Sequence, residues 1–436
     1  MAQRSLIIKG FLVILSLLAL SFLRPILFIS LPFFVLLFFL FFRAKTTIST
    51  ILLLLSILVT TVLSTFHLGE FNVSNNFLSI YFISPLILLF FSRIKIEDQD
   101  YFQFFMQVIT VVLVLNNLIG LAQLIKNPAD DDSFIGFYGT HGLGLHTLSL
   151  VNYLVGVYYF IRYQHQGLRM HLLLSVFFVI SAILSFYGLG LIMFLSTIFI
   201  YKFSLRHFFG SVLIFVFILA LFGSTLFFFK KQTFYYNLEN IKRAELFFKR
   251  DLGKKELSLI PRKLLLFRNY VDGYSQDIGA FLLGSGPGTF NSRTYFLLNG
   301  DYSRSKSLEK VFGTHDPLMA AKYVHPLWNA ENTGQYMDGS RNEPFSSIIA
   351  LLAEYGFIVS LLVAIAVYSR YKTLMGLLSL TSGALPEYNF LKFISIFVFL
   401  NLFTDNYLEY PEFILLYIII FNLIQLSISN KKVNAG

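Results

Sequence analysis

The chain has 436 residues, of which 56% are hydrophobic and only 13% charged, and it carries a formal net charge of +10. Its mean hydropathy is +0.69. A soluble domain is about 25% charged, so a water-covered globule of this length is excluded and lipid must cover much of the surface. Cysteine is absent, which excludes disulfides, thiolate nucleophiles and thiolate metal sites.

From the N-terminus, Met1-Ala-Gln-Arg-Ser leads into an apolar run to Leu23 with no small-residue cleavage site. It reads as an uncleaved first helix. A crossing needs about 20 apolar residues, which predicts spans at 6–23, 26–42, 47–66, 77–92, 101–125, 143–161, 171–186, 188–203, 208–229, 345–368, 390–404 and 411–428. The run 171–203 is too long for one crossing and divides at Ser185-Phe-Tyr-Gly-Leu-Gly190, where glycine permits a tight turn. The expected fold is all-α: a polytopic transmembrane helix bundle of about 12 helices with a large, partly helical external loop. Residues 1–229 form about nine helices, 230–344 the loop, and 345–436 the last spans.

Basic residues test the count. Arg4, Arg43, Lys45, Arg93, Lys95, Arg162, Arg169, Lys202, Arg206, Arg370, Lys372, Lys431 and Lys432 fall in one set of short loops. The other set holds only Arg24 and Lys126, with acids such as Asp130, Asp131, Asp132 and Glu409. This bias places both termini in the cytoplasm. It also keeps 374–389 on that side, at the interface, and puts 230–344 outside. The loop is too long for a plain connector, and Tyr236 to Lys249 reads as an amphipathic helix. It holds seventeen Lys or Arg against twelve Asp or Glu. Such positive charge suits an anionic partner or anionic lipid headgroups. Nucleic acid is not an expected partner.

The centre of the loop runs from Arg268-Asn-Tyr to Gly284-Ser-Gly286-Pro-Gly288-Thr-Phe290. The following helix reads Phe345-Ser-Ser-Ile-Ile-Ala-Leu-Leu-Ala-Glu354-Tyr-Gly356, and the fifth span ends Asn116-Asn-Leu-Ile-Gly-Leu-Ala-Gln123. An Arg opening a helix, a Gly-x-Gly-x-Gly-x-Phe turn, a Glu-x-Gly motif and a Gly-x-x-Gln ending, in this order and topology, resemble the O-antigen polymerase and O-antigen ligase superfamily. Where many members carry His-Asn, this chain has Phe345 and Ser346, which turns the resemblance toward the polymerase branch.

The resemblance implies a multi-pass protein of the bacterial inner membrane. It implies a glycosyltransferase that needs no metal and no cofactor. The implied reaction polymerises polyprenyl-diphosphate-linked repeat units into O-antigen, capsule or exopolysaccharide, with membrane lipids and a chain-length regulator as further partners. An O-antigen ligase-type transferase and a lipid-linked glycan transporter stand as alternatives. Arginine's planar fork suits a diphosphate. Arg268 holds the matching position, and Arg262, Arg293 and Arg341 are further candidates. Arg262 and Arg268 each precede a glycine by eleven residues, Gly273 and Gly279.

Glu343 and His325 are candidate catalytic groups, with His315 competing for the role of base, and His141 and His146 could reach the same cavity. Glu343 could equally cap the following helix. The turn 284–288 lacks the Lys-Ser/Thr of a nucleotide loop and reads as a tight turn. Glu354 serves either chemistry or helix pinning. No spacing indicates a metal site.

Overall fold

The computed structural model describes residues 2–94, 101–127, 133–139, 144–202, 231–248, 260–299, 317–328, 345–381 and 383–433, with scattered residues between 216 and 228. Among these, regular structure is helical apart from one antiparallel bridge between Lys45 and Arg93. The first half comprises α1 (Ala2–Ala19), α2 (Arg24–Ile29), α3 (Leu31–Phe42), α4 (Ile48–Leu68), α5 (Val73–Phe90), α6 (Tyr101–Lys126), α7 (Leu145–Gln166), α8 (Arg169–Leu184) and α9 (Gly188–Tyr201). Then come α10 (Lys231–Ala244), α11 (Arg262–Tyr274), α12 (Ile278–Leu283), α13 (Arg293–Asn299), α14 (Leu318–Tyr323) and α15 (His325–Trp328). The chain closes with α16 (Ser347–Leu380), α17 (Leu385–Asn401) and α18 (Pro411–Val433).

Among the described residues five helices, α4, α5, α6, α16 and α18, are long and apolar enough to cross a membrane. The bundle is ordered by burial. Thr147–Tyr159 of α7 and Pro411–Ile424 of α18 are buried without interruption, as helices apolar on all sides must be when central. By contrast α4 exposes Leu52, Leu55, Val62 and Phe66, a surface that only an apolar solvent tolerates at this density. Its Thr60, Thr61, Ser64 and Thr65 hydroxyls donate to carbonyls three or four residues back. That satisfies them where water is absent. Between α6 and α7, Asn117 Nδ2 donates to Asn152 Oδ1 at 2.7 Å.

Residues 260–299 and 317–328 form a cap with its own core. Leu266, Tyr274, Phe290, Phe296 and Val324 pack with Phe345, Ile349 and Ala353 at the start of α16. The cap is fastened to the hairpin between α4 and α5. His67 pairs with Asp277 at 2.9 Å, Glu70 accepts from the Leu318 amide at 3.0 Å, and Asn75 Nδ2 donates to the Gly288 carbonyl at 2.7 Å.

Several boundaries differ from the sequence expectation. The span 26–42 is two helices broken at Ser30, because Pro32 sits in the first turn of α3 and a proline ring disfavours continuation from the residues before it. The division of 171–203 falls as expected, at 185–187, with Phe186 at φ 51°. The helix after the loop does not end near 368 but continues to Leu380, and it is interrupted at Gly356 (φ 73°, ψ 169°). The amphipathic helix begins at Lys231 rather than Tyr236 and tightens to a 3₁₀ turn over Glu245–Phe248. Most of 208–229 lies outside the described residues.

Candidate functional site

Two structures meet where the cap joins the bundle. The first is a knot around Glu354. The backbones of Gly284 and Gly356 cross so closely that a Cβ on either would overlap the other strand, and both have positive φ. Only glycine meets both conditions. The crossing is closed by the Ser285 amide to the Ala353 carbonyl at 2.8 Å and the Gly286 amide to the Glu354 carbonyl at 2.9 Å. Tyr274 Oη donates to the same Ala353 carbonyl at 2.8 Å. The Glu354 carboxylate then accepts four backbone N–H groups: Gly288 at 2.6 Å, Phe290 at 3.0 Å, Asn291 at 3.1 Å and Ser292 at 2.9 Å. The glycine turn is therefore an anion-binding nest filled by the protein's own carboxylate. This supports the pinning role for Glu354.

The second structure is the connector between α17 and α18. Asp405 faces Lys263 at 3.9 Å, and the Lys263 ammonium also donates to the Thr404 carbonyl. Glu412 faces Arg24 at 3.8 Å. Arg24 also donates to the Tyr138 carbonyl at 2.9 Å and lies over the Tyr138 ring. Gly144 (φ +101°) makes room, since a Cβ there would overlap the Arg24 guanidinium. Arg293 donates to the Glu409 carbonyl oxygen at 3.2 Å and lies against the rings of Phe28 and Tyr410, 4.7 and 4.4 Å from their centroids. His146, in the first turn of α7, packs against Tyr187 and Tyr410 at 5.6 and 6.3 Å between centroids.

Burial raises the Glu409 carboxyl well above the usual carboxylate range, and nearby Glu354 adds to this. The Thr294 amide and Arg293 oppose it. A cavity of about 20 Å³ lies between Glu354, Asn406 and Glu409, room for about one water. The larger cavity, about 340 Å³, is an apolar groove between α7, α8 and α9, lined by Gly156, Val179 and Phe194. It lies away from these charges.

Among the described residues the structure brings Arg293, of the sequence-expected arginines, into this cluster. Arg268 lies on α11 five residues beyond Lys263, about 140° around the helix. It faces away from the connector and is paired with Asp272 at 3.8 Å. Arg262 opens the same helix behind Pro261 and is half-buried. His325 opens α15 in the cap, half-buried. Arg341, Glu343, His141, His315 and Asp130–Asp132 lie outside the described residues. The Gln123 side chain grips Gly136, accepting from its amide at 2.7 Å and donating to its carbonyl at 3.1 Å. That end of the Gly-x-x-Gln motif thus braces a loop.

Arg24, Lys263, Asp405 and Glu412 were not among the expected functional residues. One signal for Arg24 was present, as a lone arginine on the side that the charge bias leaves nearly empty of them. Among the described residues no three His, Asp or Glu side chains converge as a metal ligand set. No protein-family model matches the chain, and no curated protein matches it.

Proposed function

We propose that the chain is a membrane glycosyltransferase that polymerises polyprenyl-diphosphate-linked repeat units, with its reaction centre at the connector between α17 and α18. The observation that carries this reading is the convergence of Arg24, Lys263 and Arg293 on that one connector from three distant segments. Arg24 and Lys263 stand near 4 Å from their carboxylates and Arg293 donates to the Glu409 carbonyl at 3.2 Å, so the cluster can turn charge toward a stronger anion. A diphosphate leaving group needs such neutralisation as the glycosidic bond breaks. Aromatic rings at Tyr187 and Tyr410, both partly exposed, offer flat apolar surfaces for sugar rings beside the cations. The sequence resemblance to the O-antigen polymerase branch supports the same reaction class, and the charge bias places this end outside the cytoplasm.

The test is reconstitution of purified protein with polyprenyl-diphosphate-linked repeat units, followed by gel analysis of the lipid-linked glycan. A ladder of added units without metal or nucleotide supports the polymerase. Transfer only when a lipid A core is supplied would replace it with a ligase. No transfer in either assay would overturn the enzyme reading and favour transport of the lipid-linked glycan.

A further inference from the structure

We infer that His146 takes the proton from the acceptor hydroxyl, an inference that rests on the transferase reading above. His146 is half-buried among charged groups, so part of its ring stays reachable from outside the packed core. The groups facing it come from every neighbouring element: Arg24 of α2, Lys263 of α11, Asp405 and Glu412 on either side of the connector, and the rings of Tyr187 and Tyr410. Its ring nitrogens make no hydrogen bond or ion pair with another described residue, so a nitrogen lone pair is open to an incoming hydroxyl. The other described histidines are placed otherwise. His67 is bonded to Asp277 and His165 to Asn389. His171 stacks near Tyr159, and His325 sits in the cap.

The step balances as follows. The acceptor oxygen bonds to the anomeric carbon of the donor as the bond from that carbon to the diphosphate oxygen breaks. The electron pair leaves with the diphosphate, beside Arg24, Lys263 and Arg293. The hydroxyl proton passes to His146, which returns it to solvent before the next cycle. An imidazole suits this because it accepts a proton near neutral pH.

Wild type and His146→Gln, reconstituted with lipid-linked repeat units, are compared at saturating donor between about pH 5.5 and 8. The expected result is a rate about 100-fold lower or less in the variant, with donor affinity retained. Free imidazole restores part of the rate to His146→Ala, which a purely structural role would not allow. A His146→Gln rate within about threefold of wild type overturns the inference and leaves the transferase reading intact. If His146→Gln fails to insert, His146→Asn is compared in its place by the same criterion of about threefold. Wild type without any transfer overturns both readings.

Discussion

The turn at 284–292 and the connector at 405–412 lie side by side, joined where Asn406 Nδ2 donates to the Asn291 carbonyl at 2.6 Å, yet they are held by different chemistry. The turn is fixed by backbone amides at 2.6 to 3.1 Å around one buried carboxylate. The connector is tied to the start of α16 through Ser347, which bonds the Asp405 carbonyl and the Leu408 amide, and it adds side-chain charge pairs at 3.8 and 3.9 Å. Short bonds to backbone set a shape and cannot be exchanged without unfolding it. Longer pairs between side chains can reorganise around a ligand more readily than backbone bonds can. The contrast separates a scaffold from a site, although both are rich in charge.

Breaking the scaffold should have the largest effect. Glu354→Ala leaves four buried amides without an acceptor, at about 1–3 kcal/mol for each unsatisfied group. Limited proteolysis should show 260–299 cleaved in this variant and protected in wild type. An Ala variant with a protected cap would mean that the nest contributes little. Arg293→Ala should behave oppositely, with wild-type protease resistance and transfer lowered about 10²–10³-fold, the range for losing one stabilising donor. Equal loss of fold and transfer would erase the distinction between the two regions.

Gly356→Ala comes next. It forces a Cβ into the Leu282 carbonyl at positive φ, a strain of about 1–3 kcal/mol, readable as a lowered midpoint of thermal unfolding in detergent. Lys263→Met and Arg268→Ala then compare the two faces of α11. Lys263→Met should slow transfer about tenfold, as loss of one charge-assisted contact implies, and Arg268→Ala should insert normally with the smaller loss. The reverse order would move the diphosphate to the outward face of the helix.

The smallest effect is expected at the cap's outer fastening. The Ala280 amide, and then His67, hold the Asp277 carboxyl below its ordinary value. A depressed carboxyl contributes stability that is complete above the unfolded value of about 3.9 and is lost as pH falls through the lower folded value. Asp277→Asn keeps an N-cap side chain and removes the charge. Both partners are more than a third exposed, so at pH 7 the change should be at most about 0.5 kcal/mol after solvent screening. A larger shift in the unfolding midpoint would make this hairpin a major anchor of the cap.

The all-helical, apolar character of the chain was legible in the sequence, because long apolar runs and the break after 184 state themselves locally. The helix through Gly356 was harder, since its interruption depends on Gly284, a residue far away in the chain. The turn at 284–288 could be read as a turn, but not what fills it. The amides that grip Glu354 are 62 to 66 residues away and belong to backbone, which carries no residue signature. The cluster was least legible. Lys263 and the Thr404 carbonyl are 141 residues apart, and Arg24 and Glu412 lie near opposite ends of the chain. Periodicity along α11 could show that Lys263 and Arg268 differ in direction, but not which direction faces the connector.

The self-filled nest has a consequence for inhibitors. A glycine turn with converging amides would ordinarily attract phosphate mimics such as vanadate or tungstate. Here the carboxylate of Glu354 already occupies it, so among the described residues such oxyanions would meet cations beside Arg24, Lys263 and Arg293 instead. Protection or crosslinking by an oxyanion analogue that maps to the connector, and not to the turn, would support the proposed site there without disturbing the cap.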